Sequence, residues 1–125
     1  MKPQVLTGAV VLASALAMWD RQVPPLVDAG YRVIRYDSRG HGASQVTPGP
    51  YSIELLANDA LALMDALAIP KAHFCGLSKG GMVGQWLATR HGDRLNSAVL
   101  CDTSAYMGGA GVWEERIADA RIDIE

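Results

Sequence analysis

Apolar runs and stretches of helical periodicity alternate along this chain. Val10-Val11-Leu12 is a β-branched, apolar core of a first strand, and Tyr31-Arg32-Val33-Ile34-Arg35-Tyr36 is a second, rich in β-formers. His73-Phe74-Cys75 reads as the end of a short buried third strand, and Ser97-Ala98-Val99-Leu100-Cys101 as a fourth. Between the first two, Trp19 to Ala29 predicts a helix. Its regular part starts at Pro24-Pro25, since proline suits a first turn, and Gly30 caps its end. Ile53, Leu56, Ala60, Leu63 and Leu67 recur at helical spacing, opposite a polar face of Glu54, Asn58 and Asp65. Ser52 caps that helix and Pro70 ends it. Gly81 to Arg90 predicts the next helix, with Arg90 and His91 in the last turn, where positive charge suits the dipole, and Gly92 as the stop. A short amphipathic helix, Trp113 to Ala120, lies beyond the fourth strand.

Strand and helix alternate through all four strands, which predicts an α/β fold with a parallel sheet between two helical layers. The crossovers are right-handed by rule. The strand ends that carry Asp37, Ser78 and Asp102 then face one edge of the sheet, where such sheets bind ligands.

The densest chemistry follows the third strand. Gly76-Leu77-Ser78-Lys79-Gly80 is a G-x-S-x-G pentapeptide between a strand and a helix. On such a tight turn the serine backbone is strained and its hydroxyl is lifted clear of the sheet. Residues two before and two after the serine crowd together there, so glycine is required at both places, and Gly76 and Gly80 supply it. After the second strand, Asp37-Ser38-Arg39-Gly40-His41-Gly42-Ala43-Ser44 forms a glycine-rich turn. His41 there is a candidate base, against the plainer reading of a turn histidine held by local backbone.

Length and charge narrow the function. A chain of 125 residues makes one domain. A net charge of −2 without a basic cluster argues against a nucleic-acid partner. No metal-ligand spacing and no cofactor motif is present, because His41, His73 and His91 stand apart from one another and from carboxylate clusters. Cys75 and Cys101 fall in predicted buried strands and read as small hydrophobes of a reducing compartment, with a disulfide as the alternative. Lys2 followed by the apolar run from Val5 to Ala17, ending Ala15-Leu16-Ala17, has the outline of a secretory leader. A lone lysine, Pro3 and Gly8 weaken that outline, and the competing reading of Thr7 to Leu12 as a central strand is adopted, with a cytoplasmic location. The run is also too short to span a membrane.

Met18-Trp19-Asp20, the turn from Tyr36 to Ser44, and Gly76-Leu77-Ser78-Lys79-Gly80-Gly81 together resemble the α/β-hydrolase superfamily. Arg90-His91-Gly92-Asp93-Arg94-Leu95 and Leu100-Cys101-Asp102-Thr103-Ser104 continue the match, which is strongest to the 3-oxoadipate enol-lactonase group and its esterase relatives. The resemblance implies an incomplete α/β-hydrolase core over residues 1–125, its cap region beginning at about residue 110. It implies a sheet order of second, first, third and fourth strand. It implies Ser78 as nucleophile toward a small-molecule ester or lactone, the backbone N–H of Lys79 as one oxyanion donor, and Gly76, Gly80 and Gly81 as the glycines of the elbow. Asp37 and Arg39 would brace their turn. Serine at position 78 excludes the dehalogenase branch, which needs aspartate there.

Two departures shape the expectation. In this superfamily the acid and the histidine follow the serine on later strands, and a complete member is roughly twice as long. His91 sits roughly 15 Å down the elbow helix and His73 at the opposite edge, so Asp102 and His41 remain as secondary candidates. The loop that supplies a second oxyanion N–H is shortened, since Leu12 to Ala17 leads straight into Met18. The chain by itself is therefore expected to be inactive, with a non-catalytic binding module of the same fold as the alternative function. Its fourth strand is expected to be an open edge, prone to self-association.

Overall fold

The computed structural model describes residues 8–39 and 51–105. Four parallel strands, β1 (Ala9–Ser14), β2 (Arg32–Asp37), β3 (Ala72–Leu77) and β4 (Leu95–Cys101), form one sheet in the order β2-β1-β3-β4. The α-helices are α1 (Val23–Asp28), α2 (Ile53–Ala66) and α3 (Lys79–Arg90). The class, the order and the absence of antiparallel pairing among these four strands are as expected.

β1 is the centre of the sheet because it is apolar on both faces and pairs along both edges, with β2 and with β3. Val11 and Ala13 point with Ala72 and Phe74 of β3 into a core closed by Leu56, Ala60 and Met64 of α2 and by Val83 and Leu87 of α3. Val10 and Leu12 point the other way, against Trp19 and Leu26 on the α1 side. Helices thus cover both faces, which makes the three layers.

Element boundaries depart from expectation where local backbone chemistry overrides periodicity. The predicted Trp19–Ala29 helix is a short 3-10 turn, Leu16–Trp19, followed by the six residues of α1, with Gly30 at φ 95° closing it as expected. α2 stops at Ala66, before Pro70: Ala68 adopts φ 56° and the Ile69 N–H donates to the Met64 carbonyl at 2.8 Å. Its N-terminus is as read, with the Ser52 hydroxyl accepting from the Leu55 N–H at 3.0 Å. Its buried line is Leu56, Ala57, Ala60 and Met64, while Leu63 and Leu67 lie half-buried at the border. α3 begins at Lys79, directly after Ser78, earlier than the predicted Gly81. Gly92 is not its stop; His91 takes the capping position and Gly92 opens a 3-10 turn. The predicted helix Trp113–Ala120, the start of the cap, the His41 turn and residues 1–7 lie outside the described residues.

β4 is the outer strand on its side among the described residues, and its face toward α1 is open. Val99 on that face is 54 % exposed, and Leu100, on the opposite face beside Gly84 of α3, is 42 % exposed. An apolar hollow of about 570 Å³ beside it is lined by Leu12, Trp19, Leu26, Tyr31, Phe74 and Val99 among others, but not by Ser78. The strand, Leu95 to Cys101, carries neither a charge nor a proline to discourage pairing. We expect the purified chain to self-associate and Val99→Lys to shift it toward monomer in light scattering. A monodisperse, cooperatively melting monomer for the unsubstituted chain would contradict this.

Candidate active site

The elbow is built where β3 delivers the chain to the C-terminal edge of the sheet and α3 carries it away. Between them Ser78 sits at φ 56°, ψ −113°, a conformation that L-residues avoid and that costs about 1–3 kcal/mol. Surrounding contacts hold it there. The Ser78 N–H donates to the Cys101 carbonyl at 2.9 Å. Its own carbonyl accepts from the Met82 N–H at 3.1 Å and from Thr103 Oγ1 at 2.7 Å. The Ser78 side chain is left exposed.

The glycine requirement is steric and local. A Cβ on Gly76 would stand 2.1 Å from the Gly80 carbonyl oxygen, and one on Gly80 would stand 2.0 Å from the Ala13 carbonyl oxygen. A Cβ on Gly81 would meet the Thr103 side chain at 2.6 Å. The turn therefore packs backbone on backbone, with the end of β1 beneath it.

Lys79 is the first residue of α3. Its N–H is among those that a helix start leaves without an intrahelical partner, at the positive end of the helix dipole. Its ammonium is half-buried, and burial lowers its pKa below the ordinary lysine value, an effect that the Tyr51 phenol opposes.

The turn after β2 is a brace. Arg39 makes a two-pronged ion pair with Asp59 of α2, at 2.9 and 2.6 Å, which raises its pKa further. Asp37 Oδ1 accepts the Leu16 N–H at 2.8 Å, and Ser38 Oγ donates to the Ser14 carbonyl at 3.2 Å. Arg35 donates to the Leu16 carbonyl at 3.0 Å and pairs with Asp20. The stretch after β1 is thus tied down onto β2, its Leu16 N–H engaged by Asp37. Burial, followed by the charge of Asp59, pushes the Tyr36 phenol up to about 12.

The titratable candidates do not converge on Ser78. His73 lies near the start of β3, where Nδ1 shares a 2.6 Å hydrogen bond with Ser97 Oγ and the ring meets Tyr31 edge-on. His91 caps the far end of α3. Asp102 follows β4 at the same edge as Ser78, exposed and at φ 43°. His41 lies outside the described residues. Among the described residues, no three His, Cys, Asp or Glu side chains group as metal ligands, and no helix is long and apolar enough to cross a membrane.

Cys75 and Cys101 are free thiols. Burial, and then the neighbouring Cys101, push the Cys75 thiol up to about 11. Two units above the ordinary 9.0 leaves about one hundredth of the usual thiolate at pH 8, so Cys75 should react with iodoacetamide about 100-fold more slowly than a thiol of ordinary pKa. Peptide mapping of a timed alkylation checks this; rapid modification of Cys75 would refute it.

Thr103 was not singled out by the sequence. It bonds the elbow from a loop far along the chain, and nothing in its neighbours marks it.

A family model described as the alpha/beta hydrolase fold matches residues 8–118. The chain is 47% identical, over 105 residues, to 3-oxoadipate enol-lactonase 2 of Acinetobacter baylyi, a match covering 84% of this chain and 39% of that protein. Among solved structures it resembles the enol-lactonase from Burkholderia xenovorans, with a TM-score of 0.85 and 47% identity over 92% of this chain and 45% of that one. An esterase from Thermogutta terrifontis is similar at a TM-score of 0.78 and 37% identity, over 89% of this chain and 42% of that one. The chain spans about two-fifths of the length of the curated lactonases it matches.

Proposed function

Because this chain belongs to the alpha/beta hydrolase family, we propose that it carries the nucleophile of a serine hydrolase of carboxylic esters or lactones, with a 3-oxoadipate enol-lactone as the favoured kind of substrate. The observation that carries this reading is the elbow: an exposed serine at φ 56° on a turn that only glycines at positions 76 and 80 permit. In the proposed reaction Ser78 Oγ attacks the carbonyl carbon as a base takes its proton. The charge that develops on the carbonyl oxygen faces the Lys79 N–H. Collapse breaks the C–O bond to the leaving oxygen, which takes up a proton, and water then hydrolyses the acyl-serine. By its resemblance, the family draws base and acid from segments after the elbow strand, so residues 1–125 would form a partial core domain that does not turn over alone. Two free thiols on neighbouring strands suit a reducing, cytoplasmic setting. A non-catalytic module of the same fold is the alternative, favoured by the lack of a histidine beside Ser78 among the described residues.

The test is a hybrid in which residues 18–105 replace the matching stretch of the Acinetobacter lactonase. Hydrolysis that survives Ser78→Ala in the hybrid would overturn the assignment.

A further inference from the structure

The bonds that hold Ser78 in its strained conformation come from the end of β4 as well as from α3. The register sets Leu77 opposite Cys101, and the Ser78 N–H meets the Cys101 carbonyl at 2.9 Å. The chain then bends at Asp102, which takes φ 43°, a left-handed conformation that a short polar side chain tolerates. Thr103 thereby lies over the first turn of α3, and its Oγ1 donates to the Ser78 carbonyl at 2.7 Å. One residue further, the Ser104 carbonyl accepts from Gln85 Nε2 of α3 at 3.1 Å.

Shape holds the Thr103 side chain in place. A Cβ on Gly81 would stand 2.6 Å from the Thr103 Cβ, 2.7 Å from its methyl and 2.8 Å from its hydroxyl oxygen. The side chain thus lies flat on that glycine. A β-branched residue has few rotamers, and this contact restricts them further.

The Ser78 carbonyl belongs to the peptide unit whose N–H is that of Lys79. A peptide unit is planar and trans, so its C=O and N–H point in opposite directions. A donor that fixes the carbonyl therefore fixes the line of the N–H, which in the proposed reaction faces the oxyanion. The Met82 N–H, at 3.1 Å from the same oxygen, makes the ordinary bond of a first helical turn. Thr103 adds a second and shorter bond from outside the helix. A bonded carbonyl also draws electrons from its own nitrogen, which makes that N–H a stronger donor.

We infer that Thr103 is a positioning residue for the oxyanion: through the Ser78–Lys79 peptide, its hydroxyl aims and strengthens the Lys79 N–H. This rests on the reading of Ser78 as the nucleophile. It ties the reactivity of the elbow to a side chain beyond β4.

The test uses both the lactonase hybrid and the unmodified chain. Thr103→Val keeps the shape and removes the hydroxyl, and the Ser78 carbonyl still has the Met82 N–H. In the hybrid, Thr103→Val should lower kcat about 10–100-fold and leave KM almost unchanged, because a misaimed oxyanion donor weakens the transition state and not substrate binding. Thr103→Ser keeps the hydroxyl and should restore most of kcat. In the unmodified chain, the Lys79 amide ¹⁵N resonance should move upfield in Thr103→Val and return in Thr103→Ser. With hydrolysis still dependent on Ser78, an unchanged kcat in Thr103→Val, or a loss that Thr103→Ser does not restore, overturns the inference alone. So does a Lys79 resonance that Thr103→Val leaves in place. Hydrolysis that survives Ser78→Ala, or a hybrid that does not hydrolyse the lactone, overturns the nucleophile reading and the inference with it.

Discussion

Replacing Ser78 by alanine in the lactonase hybrid should lower ester hydrolysis by about 10⁴–10⁶-fold. At about 1.36 kcal/mol per decade this is on the order of 5–8 kcal/mol of transition-state stabilisation. A triad acts as a unit, so loss of the nucleophile also removes the use of its base. The chain by itself should behave as the hybrid's knockout does. A serine hydroxyl without a base stays protonated at neutral pH. His73 is roughly 16 Å back along β3 and bonded to Ser97, and His91 lies about 18 Å away at the other end of α3. With Leu16 N–H held by Asp37, the stretch after β1 also has one donor fewer to offer an oxyanion. The isolated chain should therefore hydrolyse p-nitrophenyl acetate no faster than its Ser78→Ala variant and take no label from a fluorophosphonate. Stoichiometric labelling of Ser78 would mean that a base does reach the elbow; His41→Ala is then the first variant to examine.

Gly76→Ala and Gly80→Ala should each abolish cooperative unfolding. The added methyl would overlap a carbonyl at 2.1 Å in the first case and 2.0 Å in the second, and both obstacles are backbone atoms. Relief requires β1, β3 and α3 to separate at their closest approach. Overpacking a core with flexible side chains costs about 1–3 kcal/mol, and a fixed backbone obstacle costs more. That exceeds what a small, partly open sheet has in reserve, since whole domains are stable by only about 5–15 kcal/mol. Gly92 provides the control: nothing stands within 4 Å of its missing Cβ, so Gly92→Ala should change stability by no more than about 1 kcal/mol. Circular-dichroism melts of the three variants test the pattern. A Gly76→Ala chain melting like the parent would show that the turn can open without consequence.

The sheet was legible because its strands are apolar on the scale at which the core reads them. Val10 to Leu12 and His73 to Cys75 could face helices on both sides, and the glycine turn between strand and helix fixed where Ser78 would stand. Ser52, with its hydroxyl on Leu55, was legible for the same local reason. Legibility ended where a contact joins distant segments. Ala68 in the left-handed region closes α2 in place of Pro70, a choice that depends on Ile69 being drawn into the core. Thr103 supports the Ser78 carbonyl from beyond β4, and Asp37 reaches the Leu16 N–H across the sheet. Such pairings leave no periodicity. The resemblance supplied bracing roles for Asp37 and Arg39, but not their partners Leu16 and Asp59.

The central place of β1 also sets a timetable. This strand is the first of the four to leave the ribosome, yet its two partners are β2 and, only after α2, β3. Until β3 is made its continuous apolar run has one neighbour at most, and α3, which supplies part of the cover on one face, is still missing. Parallel pairing admits no hairpin shortcut, so closure of the sheet waits for long connections. Nascent chains halted before Ala72 should thus present Ala9 to Ala13 to any chaperone that reads short hydrophobic strands, and release should coincide with the arrival of β3.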